Sequence, residues 1–281
     1  MKYSPFCKRF LSIVLLILLT TSFTYPTKRD IKIGSKKSIQ IASASSSELD
    51  YLLEVMTYNI RHAKGLDGNV DLNRITTVIE NSGADIVGLQ EVDRFHIRSD
   101  MVDQIEDIAD RLNMYWAFVP SLQFSFMEYG NAILSRFPII NTAMIDLEND
   151  IEDRSAILVE IETPLGLIEI INVHFGLTFE EKESQMKQIM LYIQNIEHPI
   201  ILMGDFNMTS DNTLMQELTY TWQSSRTDSA TVLSGLEIDY IFTNNGLLIL
   251  DSWTIDSDAS DHLPVMAEVS VTEMFEDSEY K

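Results

Sequence analysis

The sequence predicts a layered fold of the α/β or α+β class, and three observations predict it. Short apolar runs of strand length alternate with stretches of helical periodicity from Glu54 to Val271. Turn residues, among them Gly83 and Pro164-Leu165-Gly166, punctuate that alternation. The composition, 45% hydrophobic and 22% charged over 281 residues, supplies apolar side chains for one large core or two small ones.

The elements follow in chain order. VMTYNI (55–60) reads as a strand. Asp71 can cap a helix running through Glu80 and closed by Gly83. ADIVGLQ (84–90) is an apolar run with the character of a buried strand. Apolar residues at 102, 105, 108, 109 and 112 have helical spacing. Strands are expected at Tyr115–Val119 and Asn131–Leu134, then as a hairpin at Ala156–Ile161 and Leu167–Val173 around the Pro-Leu-Gly turn. A helix over Phe179–Ile196 precedes strands at Ile200–Met203, Ile238–Phe242, Leu247–Trp253 and Val265–Val271. No internal repeat interrupts the series, so one domain over 52–274 is the simplest division, with a loose tail at 275–281.

The N-terminus differs. Lys2, Lys8 and Arg9 precede the apolar run Phe10–Leu19, and polar residues and Pro26 follow it. Residues 1–27 therefore read as a secretory signal or, if uncleaved, a membrane anchor, and the protein is expected to be exported, either secreted or held at the outer face of the cytoplasmic membrane. The run is short of the ~20 residues of a spanning helix. Residues 28–51, basic and then rich in Ser and Ala, read as a linker. The only cysteine, Cys7, lies before the apolar run, so removal of the signal would leave no disulfide and no cysteine-based zinc site. Residues 1–44 hold eight basic and one acidic residue, whereas 45–281 hold 12 basic and 42 acidic, a net of −30. Such a body repels polyanions and argues against tight non-specific DNA binding.

Several expected strands end in polar residues: Asn59, Gln90-Glu91, Asn172 and His174, and Gly204-Asp205-Phe206-Asn207. Asp239 lies on a further strand, and Ser260-Asp261-His262 precedes the last. Polar groups at the ends of buried strands converge on one rim, and this set of carboxylates, amides and histidines suits a hard cation and a phosphate.

In order and spacing, TYNI (57–60), LQEVD (89–93), GNAILSRFPI (130–139), NVHFG (172–176), GDFN (204–207), IDYIF (238–242) and SDHLPV (260–265) resemble the endonuclease/exonuclease/phosphatase superfamily. The resemblance implies a DNase I-like four-layered α/β/β/α sandwich with its site at one sheet edge. It implies Mg²⁺, with Mn²⁺ as an alternative, held by Glu91 with Asn59 and Asp261 nearby. It makes His262, oriented by Asp239, the histidine beside the scissile phosphate. Asp205 and Asn207 would bind and activate the nucleophilic water, with Asn207 also holding phosphate. His174 would donate to a phosphate oxygen. Arg154 stands where family members often place a phosphate-contacting arginine, the alternative being a solvated side chain beside Glu152 and Asp153. RSDMVDQ (98–104), AKGLDG (63–68) and GNAILSR look most like the exported bacterial branch similar to sphingomyelinases.

Arg61 occupies the position at which apurinic-site endonucleases of the superfamily carry Asp, which turns the expectation away from DNA repair. The function expected is hydrolysis of a phosphate ester, a phosphodiester of a small molecule or lipid headgroup, by a monomer using in-line attack of water. An extracellular nuclease and a non-catalytic binding protein on the same scaffold are the alternatives. Of the other residues, His62 and His96 read as solvated loop histidines near the rim, with substrate contact as the alternative, and His198 as structural. Phe124, Phe126, Met127 and Tyr129 read as core packing, with a substrate- or membrane-facing loop as the alternative.

Overall fold

The computed structural model describes residues 30–35, 51–149, 151–227, 229–244 and 246–271. The expected signal or anchor at 1–27 and the tail at 275–281 lie outside them. Among the described residues no helix is long and apolar enough to cross a membrane.

Among the described residues thirteen strands build two sheets: β1 (Lys32–Gly34), β2 (Leu53–Asn59), β3 (Ile86–Arg94), β4 (Tyr115–Phe124), β5 (Met127–Ser135), β6 (Ile139–Leu147), β7 (Arg154–Thr163), β8 (Gly166–His174), β9 (Ile200–Asp205), β10 (Gln223–Ser224), β11 (Asp239–Thr243), β12 (Leu247–Thr254) and β13 (Val265–Val271). The helices are α1 (Leu72–Ser82), α2 (Gln104–Leu112), α3 (Phe179–Ile193) and α4 (Thr213–Leu218). The first sheet is ordered β1-β4-β5-β3-β2-β13-β12 and the second β10-β11-β9-β8-β7-β6.

Strand alternation explains the layering. Val55, Ile86, Ala117 and Ile133 of the first sheet meet Ile157, Val159, Ile170, Ile201 and Met203 of the second in a shared core. The other face of the first sheet, through Met56, Tyr58, Leu89 and Phe118, packs on Ile75 and Ile79 of α1 and Ile105 and Ile108 of α2. The outer face of the second, through Leu158, Ile171, Val173 and Leu202, packs on Met186 and Ile189 of α3 and Met215 of α4. The result is a four-layered α/β/β/α sandwich. Helix starts follow capping chemistry: Asp71 accepts from the Asn73 N–H, and Thr178 and Glu181 form a reciprocal capping box.

The structure departs from the sequence reading at several elements. The expected linker 28–51 contributes β1, which pairs with β4 through Lys32↔Phe118 and Gly34↔Trp116; a three-residue strand offers too little alternation to be seen. The β4–β5 hairpin extends to a tip at Ser125-Phe126, leaving Phe124 64% and Phe126 58% exposed, which overturns core packing for those two rings. Tyr129, further from the tip, is buried. β6 and α4 were not expected, and α3 stops at Ile193 rather than Ile196.

Candidate active site

Asn59 ends β2 and Glu91 lies in β3, neighbours in parallel register. Between Leu89 and Val92 the register of β3 against β5 slips, and Glu91 takes the left-handed conformation at φ 59. The extra residue breaks the alternation of facing and turns Glu91 to the sheet edge. The second sheet supports this irregularity. Asn172 of β8 donates to the Leu89 and Ala132 carbonyls at 2.8 and 2.9 Å, and its Oδ1 accepts from Gln90 Nε2 at 2.6 Å.

β8 and β9 run parallel and end side by side at His174 and Asp205. β11 lies antiparallel to β9 and sets Asp239 opposite Asp205. Gly204 precedes Asp205 at φ 144, and a Cβ there would fall 2.0 Å from the Val173 carbonyl oxygen. Only glycine allows the two strand ends to lie this close.

Side chains from both sheets converge on Asp205. Its Oδ2 accepts from Asn59 Nδ2 at 3.1 Å and lies 3.5 Å from His174 Nε2 and 3.7 Å from His262 Nε2. Asn59 Nδ2 also donates to Glu91 Oε1 at 3.2 Å. The Asn207 N–H donates to Asp205 Oδ1 at 2.9 Å, and Asn207 Nδ2 donates to the Phe175 carbonyl. Asp239 accepts from His262 Nδ1 at 2.9 and 3.1 Å. Arg154, 5% exposed, lies with Nη1 at 3.2 Å from His174 Nδ1, so the solvated alternative does not describe it. Its buried Nε has no partner. Glu91, Arg154, His174, Asp205, Asn207 and His262 line one cleft of about 490 Å³. Asn59 and Asp239 stand directly behind it, and Asp261 stands aside, paired with Arg61 Nε at 3.2 Å.

These contacts fix the tautomers. Arginine can only donate, so His174 Nδ1 accepts from Arg154 and its proton is on Nε2, facing Asp205. Burial, with Arg154 and His262 adding to it, holds His174 well below the usual imidazole range and therefore neutral. A carboxylate only accepts, so His262 carries a proton on Nδ1. Burial pulls the His262 pKa down, but Asp239, Asp205 and Asp261 outweigh it and raise it to about 9. Glu91 is pushed up by burial against the opposing pull of Asn59 and His262. Asp205 is pushed up by burial and by Asp239.

Two desolvated carboxylates linked by a single amide constitute a deficit of positive charge, and oxygen donors are what a hard divalent cation requires. The residues thus fit a divalent metal beside Glu91, with the Asn59 amide and Asp261 at the same edge. Asp205, Asp239 and His262 also gather ligand atoms within 4.8 Å of one another, but His262 and Asp239 already satisfy each other.

Some contributors were given no role at the site by the sequence. Thr231, in an irregular segment, donates to Asp239 Oδ2 at 2.6 Å while its hydroxyl accepts from the Ile238 and Asp239 N–H groups. Arg98 forms a two-pronged pair with Asp93 and lies 5.3 Å over the Tyr129 ring, making one wall of the cleft with His96, Leu122 and Leu177. His62, read as solvated, is partly buried with an unpartnered Nδ1, and burial with Arg98 depresses its pKa to about 4.

A model of the Endonuclease/Exonuclease/phosphatase family matches residues 56–262. The uncharacterized protein YbhP of Escherichia coli (strain K12) is 25% identical over 170 residues, covering 56% of this chain and 67% of that protein. An endonuclease/exonuclease/phosphatase from Beutenbergia cavernae DSM 12333 superposes with a TM-score of 0.68 at 21% identity, over 79% of this chain and 72% of that one. The mannosyl-6-phosphatase Bt3783 of Bacteroides thetaiotaomicron VPI-5482 superposes with a TM-score of 0.61 at 19% identity, over 77% and 99% of the two chains.

Proposed function

The chain belongs to the endonuclease/exonuclease/phosphatase family, and from that premise we propose that it is a Mg²⁺-dependent phosphodiesterase acting on a small molecule or lipid headgroup. Membership makes it a phosphoric ester hydrolase of a family that typically depends on a divalent metal. The reaction, the metal's identity and the substrate class are our reading.

The observation that carries it is the single oxygen Asp205 Oδ2, approached by Asn59, His174 and His262 at the floor of an open cleft. Asp205 holds a water by accepting its hydrogen bond and takes its proton as the oxygen attacks phosphorus. Its raised proton affinity suits it to that step. His174, neutral with its proton on Nε2, donates to a non-bridging phosphate oxygen. Arg154 keeps that tautomer and adds positive charge. His262, held by Asp239, donates from Nε2 to the oxygens of the pentacoordinate phosphorus. Glu91, with Asn59 and Asp261, would hold the cation, which when bound neutralises charge on the phosphoryl and leaving oxygens. The chain offers no need for a covalent intermediate.

Two features support a small or lipid phosphodiester over nucleic acid. Part of the cleft wall is apolar: Leu122 and Leu177 line it, and Phe124 and Phe126 project from the hairpin that carries Leu122. Arg98 is neutralised by Asp93, and the chain's net charge of −23 opposes a long polyanion. Export through the N-terminal segment belongs to the same proposal, and fractionation with protease accessibility in the producing cell tests it.

The function is tested on purified protein with Mg²⁺ against bis(p-nitrophenyl) phosphate, p-nitrophenyl phosphate, a choline phosphodiester lipid and plasmid DNA. Diester hydrolysis should fall by about 10³-fold in Asp205→Asn. Degradation of DNA with all the small esters untouched would replace this reading with the nuclease.

A further inference from the structure

Exposed apolar side chains from separate loops surround the mouth of the cleft. Ile97, 76% exposed, stands between His96 and Arg98, which both line the cleft. Ile151, 67% exposed, precedes Glu152 of the lining, and Leu177 lines the cleft while 62% exposed. The β4–β5 hairpin adds Leu122 in the wall and the two phenyl rings at its tip. On the His262 side, Leu66 and Leu233 are exposed around a hollow of about 460 Å³ that Leu263 also lines. Their N–H groups donate to the carbonyls of Asp258 and Asp261, which fixes them beside the loop that carries His262.

Single exposed apolar residues are ordinary, but a set gathered from several loops around one site marks an interaction surface. Folding does not account for the hairpin tip. Phe124 and Phe126 belong to none of the three hydrophobic clusters that fill the fold.

The first strand indicates what covers this face. β1 runs antiparallel to β4, with Lys32 opposite Phe118 and Gly34 opposite Trp116, so from Lys32 back to Asp30 the chain heads toward the hairpin tip. β3 reaches the same end, with Arg94 opposite Glu128. The chain before Asp30 therefore leaves the fold at the end that bears the cleft. Residues 20–29 separate it from the apolar run Phe10–Leu19 and reach at most about 35 Å when fully extended. A membrane holding that run would lie on the side of Phe124, Phe126 and the cleft. The chain's net charge of −23 opposes an anionic surface, so the complementary bilayer is zwitterionic.

We propose that the cleft face docks on a zwitterionic phospholipid bilayer, with Phe124 and Phe126 inserted at its interface and the cleft opening onto the lipid headgroups. The proposal rests on the phosphodiesterase reading above and specifies where the substrate is presented.

The test uses the full chain, a Phe126→Trp reporter and the double variant Phe124→Ser/Phe126→Ser. Phosphatidylcholine vesicles with brominated acyl chains should quench the reporter well beyond wild type, whose Trp116 and Trp222 are buried and Trp253 partly buried. The excess quenching should persist in about 0.5 M NaCl, since apolar insertion is not screened. The double variant should bind phosphatidylcholine vesicles roughly tenfold or more weakly, while its Tm is no lower than wild type and its hydrolysis of soluble bis(p-nitrophenyl) phosphate stays within about twofold. Reporter quenching no greater than wild type, or equal vesicle affinity of wild type and double variant, would overturn the proposal. So would binding confined to phosphatidylglycerol vesicles and lost in salt, or a concentration-dependent dimer that the double variant abolishes. Excess quenching without hydrolysis of any diester would sustain the docking surface and overturn the phosphodiesterase reading instead.

Discussion

Replacing Asp239 with Asn tests whether orientation of His262 limits catalysis. The two side chains have the same shape, so packing is preserved and only charge and hydrogen-bond polarity change. Both Asp239 oxygens accept from His262 Nδ1, and Oδ2 also accepts from Thr231. The Thr231 oxygen itself receives two backbone N–H groups, so its own hydrogen is committed to Asp239. In the variant the Asn carbonyl can stand in for Oδ2 and accept from both Thr231 and His262 Nδ1. The neighbouring charge that favours the imidazolium is gone, and the neutral ring that keeps its proton on Nδ1 has none to donate from Nε2. Loss of a correctly protonated acid–base group costs about 10²–10⁴-fold. Because Asp239 acts through His262, the lower part is expected, about 10²–10³-fold in kcat with KM changed less than about threefold. Thr231→Val should cost about tenfold, the scale of removing a supporting hydrogen bond. The assay is steady-state hydrolysis of bis(p-nitrophenyl) phosphate with saturating Mg²⁺. Asp239→Asn retaining kcat within fivefold would refute the reasoning.

Three further outcomes are expected. Gly204→Ala forces a methyl into the Val173 carbonyl at a φ of 144, and should cost about 2–4 kcal/mol in urea unfolding together with most activity. Burial and then Glu160 give Glu169 a folded pKa of about 7 against 4.5 unfolded, so the stability its protonated form contributes is complete below pH 4.5 and is lost as pH rises through 7. Glu169→Gln should therefore match wild type at pH 4 and exceed it by about 2–3 kcal/mol at pH 8, with Glu160, Glu197, His198 and Tyr192 facing the same cavity in both. Chelation should abolish turnover, and added Mg²⁺ should raise Tm in wild type by roughly 2–5 °C but by less than half of that in Glu91→Gln.

The candidate site was legible in the sequence because its residues follow apolar runs: Asn59, His174 and Asp205 end their strands, whereas Glu91 lies at an irregularity inside β3, which runs on to Arg94. Their convergence was legible only through the spacing of whole motifs, since local pattern does not say which strand ends share an edge. Features that depend on register were invisible. Thr231 reaches Asp239 from an irregular segment, and Glu160 meets Glu169 only because β7 and β8 pair as they do. The exposed Phe124 and Phe126 were misread because an aromatic pair at a hairpin tip has the same local composition as one in a core. β6 was missed because Asn141, Thr142 and Asp146 interrupt its apolar character.

The bond from Gln90 to Asn172, with the two further bonds from Asn172 to the first sheet, is a rivet between halves of the molecule. Neither sheet owns the whole candidate site: one contributes Asn59 and Glu91, the other His174, Asp205 and Asp239. A slide of one sheet over the other by a single residue pitch, about 3.3 Å, would carry every donor past its acceptor. Turnover therefore reports on how the two halves are mated, and an intermediate in which both sheets are formed but unfastened would be catalytically silent while retaining its secondary structure.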